Sequence, residues 1–109
     1  MAASLSYGGL PVHAAARMCA VFAGHPAIEK VTVFGSRAKG DYKRGSDIDL
    51  ALVGPVTHDE LLHLASELDD LLLPWEIDLV QFDSITNPDL REHIAHVGQT
   101  FYAREEAFA

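Results

Sequence analysis

Gly35-Ser36-Arg37-Ala38-Lys39-Gly40-Asp41-Tyr42-Lys43-Arg44-Gly45-Ser46-Asp47-Ile48-Asp49-Leu50 is entered from one apolar run, Val31-Thr32-Val33-Phe34, and left through another, Leu50-Ala51-Leu52-Val53. Between the two runs lie small residues, four cations and then two carboxylates one residue apart. Side chains alternate along a strand, so Asp47 and Asp49 share a face, roughly 7 Å apart at the backbone, while Ile48, Leu50 and Leu52 take the other face. Two carboxylates this close repel unless a cation lies between them. Oxygen-only ligands select hard ions, so Mg²⁺ is the natural guest, with Mn²⁺ as its substitute. Upstream, Gly35-Ser36 follows a strand directly. Glycine lets the backbone approach a ligand, free N–H groups there form an anion nest, and Ser36 adds a hydroxyl donor. Arg37, Lys39, Lys43 and Arg44 concentrate positive charge in an otherwise acidic chain. The stretch reads as a phosphate cradle feeding a divalent-metal site.

The remainder is consistent with one small domain over residues 1–109, with its core at about 11–102. The net charge of −8 argues against non-specific nucleic-acid binding. Cys19 is the only cysteine, so no intrachain disulfide can form and a reducing, cytoplasmic setting fits. Its Ala, Met and Val neighbours mark it as a small core residue and not a nucleophile. Neither a signal peptide nor a membrane-crossing run is expected.

Residues 1–9 are expected to fray. A helix begins near Pro11, which suits a first turn, and runs to about Ala23 with Ala14, Met18, Val21 and Phe22 as its apolar stripe; Gly24 ends it. Residues 31–34 form the first strand and 47–53 the second, closed by Gly54-Pro55. Thr57-His58-Asp59-Glu60 is a capping box, with Glu60 reaching back to the cap. The helix it opens extends to about Leu73, buries Leu61, Leu64, Ala65, Leu68 and Leu72, wets Glu67, Asp69 and Asp70, and stops at Pro74. Residues 75–82 are the third strand, with Asp78 in its middle. A carboxylate there is costly unless paired or bound to metal. Should this strand lie beside the second, Asp78 completes a triad with Asp47 and Asp49; as an edge strand, it leaves Asp78 in water. Asn87-Pro88-Asp89 starts a last helix, buried through Leu90, Ile94 and Val97 and ended by Gly98. His93 and His96 on it are read as solvated. Phe101 and Tyr102 are expected to dock on the sheet, and residues 104–109 to form a loose tail.

In this order, Gly35-Ser36, ten residues, Asp47-Ile48-Asp49, then Glu76-Ile77-Asp78-Leu79 and Ile94-x-x-x-Gly98-x-x-x-Tyr102, the chain resembles the nucleotidyltransferases of the DNA polymerase β superfamily. It is most similar to their minimal, MNT-type branch. The resemblance spans roughly residues 11–102. It implies an α/β fold with a small mixed sheet and helices packed against it. It also implies Gly35 and Ser36 on the phosphates of a nucleoside triphosphate, ATP by family habit, with Arg37, Lys39 or Lys43 neutralising pyrophosphate. Asp47, Asp49 and Asp78 would be the catalytic residues and the ligands of two Mg²⁺ ions. Minimal members of the family act as antitoxins to HEPN-type ribonuclease toxins, and some resemble enzymes that place AMP on a toxin tyrosine. The chain has no room for a large acceptor domain, so that role is the leading expectation. Two others stand beside it: neutralisation by binding alone, and transfer to a small molecule of the aminoglycoside type.

Overall fold

The computed structural model describes residues 9–35 and 47–104. Within them the order is α1 (Val12–Ala23), β1 (Lys30–Phe34), β2 (Ile48–Val53), α2 (His58–Asp69), β3 (Ile77–Gln81), a 3₁₀ turn (Phe82–Ser84), α3 (Pro88–Val97) and β4 (Gln99–Ala103). The four strands make one mixed sheet in the order β3-β2-β1-β4. β1 is antiparallel to both β2 and β4, and β2 is parallel to β3. The expected small mixed sheet with packed helices is the one observed.

Alternation sorts the sheet into two faces. Val31 and Val33 on β1, and Ile48, Leu50 and Leu52 on β2, are buried without residual exposure. They meet Ala15, Met18 and Phe22 of α1 and Leu64 and Leu68 of α2 in one core. Phe22 reaches across to β4, its ring edge-on to Phe101 at 6.2 Å between centroids. This apolar back face is the main stabilising surface, since each fully buried aliphatic or aromatic side chain contributes about 1.5–3 kcal/mol. The other face carries Thr32, Phe34, Asp49 and Asp78, and α3 covers its β1 side. Gly98 permits that contact: a Cβ there would strike the Ile94 carbonyl and lie 2.6 Å from the Thr32 methyl.

Several expectations need correcting. Pro11 is the cap preceding α1 and not a residue of its first turn. α2 ends at Asp69, not Leu73. Its last turn holds no cation to offset the helix dipole, and Leu72 turns the chain with a φ of 56° before Pro74 is reached. Leu72 is therefore 87% exposed, and Ala65 is also exposed, so neither belongs to the buried stripe. β3 begins at Ile77, which makes Asp78 its second residue, and Phe82 falls in the 3₁₀ turn. Phe101 and Tyr102 do not dock on the sheet from outside; they are part of it, in β4. Arg104 is no loose tail. Its Nε donates to the Ile28 carbonyl at 3.1 Å, and its Nη2 donates to those of His25 at 2.8 Å and Ala23 at 3.3 Å. The expectation of a frayed start falls on described residues only at Gly9, which takes a φ of 78° beside the buried Leu10.

The caps behave as their chemistry requires. Thr57 accepts from the Glu60 amide at 3.1 Å, and Asn87 accepts from the Asp89 amide at 2.9 Å. The Glu60 carboxylate, expected to reach back to the cap, is engaged by His25. Glu67, expected to be wet, is half-buried and holds the other nitrogen of the same ring. Cys19 packs half-buried with its Sγ 3.8 Å from the Phe101 carbonyl, and burial pushes its thiol pKa up to about 11. That suits a core residue and not a nucleophile. No helix among the described residues is long and apolar enough to cross a membrane.

Candidate active site

The site is a row across the open face of the sheet. Phe34 is the register partner of Asp49 in the antiparallel β1–β2 pair. Asp49 is in turn the partner of Asp78 in the parallel β2–β3 pair. Directly paired residues share a face, so Phe34, Asp49 and Asp78 stand side by side. Asp47 is exposed and immediately precedes β2. Pairing β3 with β2 is the condition on which Asp78 joins the other two acids, and it is met. The alternative holds as well, because β3 is an edge strand and Asp78 is exposed.

Asp49 feels both of the other carboxylates. Partial burial, then the charge of Asp78 and then that of Asp47, hold the Asp49 carboxyl above the usual carboxylate range. Gly35 closes the inner side of the row. It adopts a φ of +74°, and a Cβ on it would lie 2.5 Å from Asp49 Oδ2. The sequence signal for a close backbone approach at Gly35 is thus realised against the acid itself. Ser36, Arg37, Lys39 and Lys43 lie outside the described residues.

The donor set fits a hard divalent cation in kind: oxygen only, anionic, and brought to one place by two strands. Among the described residues, no three His, Cys, Asp or Glu side chains converge closely enough to enclose an ion as they stand. Mg²⁺ does not demand such a cage, since it is held by one or two carboxylates together with substrate phosphates and waters. Asp49 and Asp78 supply carboxylates of that kind, with Asp47 beside them.

One neighbour was missed. His93, expected to be solvated, is half-buried, with its ring edge-on to Phe34 at 6.5 Å between centroids. α3 thereby walls the row on the side away from Asp78. Spacing along the chain gives no hint of this, because only the docking of α3 brings His93 to Phe34. His96 is exposed as expected, 3.7 Å from Glu92.

Comparison with known proteins agrees with this fold. The probable protein adenylyltransferase MntA of Haemophilus influenzae is 37% identical over 81 residues, 70% of this chain and 68% of that protein. A Methanocaldococcus jannaschii protein with a provisional protein adenylyltransferase name is 33% identical over 69 residues, 62% of this chain and 69% of that one. Among solved structures, a chain of a toxin–antitoxin complex with AMP-PNP superposes with a TM-score of 0.67 at 22% identity, over 84% of this chain and 75% of that one. A chain from the complex of tri-AMPylated Shewanella oneidensis HEPN toxin with MNT antitoxin gives 0.62 at 18% identity, over 86% and 73%. Both share the fold. Residues 17–107 match the family described as polymerase beta, nucleotidyltransferase, and the chain belongs to that nucleotidyltransferase family.

Proposed function

We propose that this protein is an antitoxin that transfers AMP from ATP to a tyrosine of a partner HEPN ribonuclease toxin, in a Mg²⁺-dependent reaction. The observation that carries the reading is the pairing of Asp49 with Asp78 beside the Gly35 backbone. The names of the relatives, protein adenylyltransferases and toxin–antitoxin complexes, support the choice of a protein acceptor.

On this reading the Gly35 amide and Ser36 bind the triphosphate, and Arg37, Lys39 or Lys43 neutralise the departing pyrophosphate. Asp47, Asp49 and Asp78 would hold Mg²⁺, as one ion or two, which when bound supplies charge neutralisation at the entering and leaving oxygens. Asp78, at the exposed end of the row, orients the attacking hydroxyl and accepts its proton. His93 and Phe34 exclude water from the opposite end.

The test is direct. The protein, labelled ATP, Mg²⁺ and the toxin are incubated together, with Asp47→Asn in parallel. Label is expected on a toxin tyrosine with the wild type alone. No label, or equal label from both, rejects the proposal. The net charge of −8 favours a second reading, in which the acidic protein covers a basic face of the ribonuclease without chemistry. An Asp47→Asn variant that still binds and still protects cells would support that reading.

A further inference from the structure

The outer side of β3 pairs with no strand among the described residues. A groove of about 480 Å³ runs beside its first residues, walled by Leu68 and Asp69 of α2, Trp75 and Glu76 of the connection, and Ile77 and Asp78 of β3. Apart from Asp78, no residue of the proposed mechanism lines this groove. Its position relative to Gly35 gives it a role. In-line displacement at phosphorus places the attacking oxygen and the leaving pyrophosphate on opposite sides. Phosphates held at Gly35 lie on the β1 side of Asp49, so the acceptor enters from the β3 side, across Asp78. The groove opens along that same edge of the sheet, on its α2 side, with Asp78 at the edge between groove and row.

Its chemistry narrows the occupant. Asp69, Glu76 and Asp78 line it, all three exposed, and no Lys or Arg among the described residues does. The Glu76 carbonyl is taken by the Ile48 amide at 2.8 Å, so in the alternating parallel ladder Ile77 turns its own N–H and C=O outward. An extended segment can bond to such an edge while its side chains meet the groove.

We propose that this groove is the acceptor subsite, and that it takes an extended, positively charged segment of the acceptor protein that carries the reacting hydroxyl. The inference rests on the function proposed above and adds where and how the acceptor binds. The hydroxyl oxygen forms a bond to the α-phosphorus of the triphosphate as the bond from that phosphorus to the bridging oxygen breaks. Pyrophosphate leaves with the electron pair, and the hydroxyl proton passes to the Asp78 carboxylate.

The experiment compares wild type, Asp69→Lys/Glu76→Lys, and Glu92→Lys, the last an exposed charge reversal on α3 away from the groove. Nucleotide affinity by calorimetry and AMP transfer to the toxin are measured for each. Reversal in the groove is expected to raise the KM for the toxin about tenfold or more, with nucleotide affinity unchanged within a factor of two. Glu92→Lys is expected to leave both unchanged. A photo-crosslinker at position 69 is expected to capture the toxin near its modified residue. Equal KM values in all three proteins, an equal loss from groove and control reversals, or a crosslinker that captures nothing would overturn the subsite. Absence of transfer by the wild type is a separate result, which rejects the enzymatic reading itself.

Discussion

Asp49 lies directly across from Asp78 in the parallel β2–β3 pair, with Asp47 just upstream, so folding drives like charges together. The fold bears a cost to keep that row. Burial first, then the two neighbouring carboxylates, raise the Asp49 pKa above its usual 3.8. For a raised acid the sign is fixed: below 3.8 the group is neutral in both states and costs nothing. As pH climbs through the raised folded value, folding must hold a disfavoured charge, and stability falls. Asp49→Asn is therefore expected to be more stable than wild type at pH 7 without divalent ions, by about 0.5 kcal/mol after solvent screening. It is also expected to lose on the order of 100-fold in AMP transfer. Thermal unfolding in chelator at pH 4 and pH 7 checks the first part, and the gain should be confined to the higher pH.

Gly35 tests whether the cradle is built as described. Alanine at a φ of +74° is strained by about 1–2 kcal/mol. Its Cβ also claims the space beside Asp49 Oδ2, so the carboxylate must rotate away. Gly35→Ala should unfold at lower denaturant and bind nucleotide with Mg²⁺ at least tenfold more weakly. A variant that loses stability but keeps its nucleotide affinity would separate Gly35 from the site.

Much of this site was legible because its signals are local. Period-two alternation put Asp49 opposite Leu50, and a glycine after Phe34 announced a close approach. Asp78 was legible as an anomaly, a carboxylate in an apolar run, although only the sheet order decides its company. What stayed hidden depends on contacts between distant segments. His25 meets Glu60 and Glu67 across 35 and 42 residues, and no spacing rule connects them. β4 was missed because residues 99–103 follow directly on a helix and read as an end, not as a strand. The sequence offers Pro74 as the stop of α2, whereas the unfavourable Asp69 and Asp70 end it a turn earlier.

The His25 ring sits between two carboxylates, 12% exposed, with Nδ1 3.1 Å from Glu60 and Nε2 2.7 Å from Glu67. It ties the α1–β1 turn to α2. The His63 ring lies 6.2 Å away, and its Nε2 is 3.9 Å from the same Glu67 carboxylate. Burial alone would lower the His25 pKa, but hydrogen bonds and charge from Glu67 and Glu60 outweigh it, so the value rises above 6.5. A raised base stabilises fully below its unfolded pKa of 6.5, and that contribution fades as pH rises through the folded value. His25→Gln should cost about 1 kcal/mol at pH 6 and progressively less toward alkaline pH. The two unfolding curves should converge as pH rises; parallel curves would remove the charge from the account.

Arg104 fixes the same turn from the other side. Three carbonyls of residues 23, 25 and 28 accept from its guanidinium, and its own amide donates to Glu29 at 2.9 Å. Carbonyls at a helix end lack an intrahelical partner, and although the Ile28 amide also donates to the His25 carbonyl at 3.0 Å, a planar fork that reaches several carbonyls stabilises by about 2–3 kcal/mol. Lysine carries the charge but not the fork, so Arg104→Lys should recover less than half of what Arg104→Ala loses. Because one of those carbonyls belongs to His25, the two contacts share a backbone and should not be independent. A double-mutant cycle between Arg104→Ala and His25→Gln is expected to show coupling of about 0.5–1 kcal/mol at pH 6. The coupling should weaken at high pH, where neutral His25 keeps a single N–H and can donate to only one of the two α2 carboxylates. Additive losses at both pH values would mean that β4 and α2 anchor the turn separately.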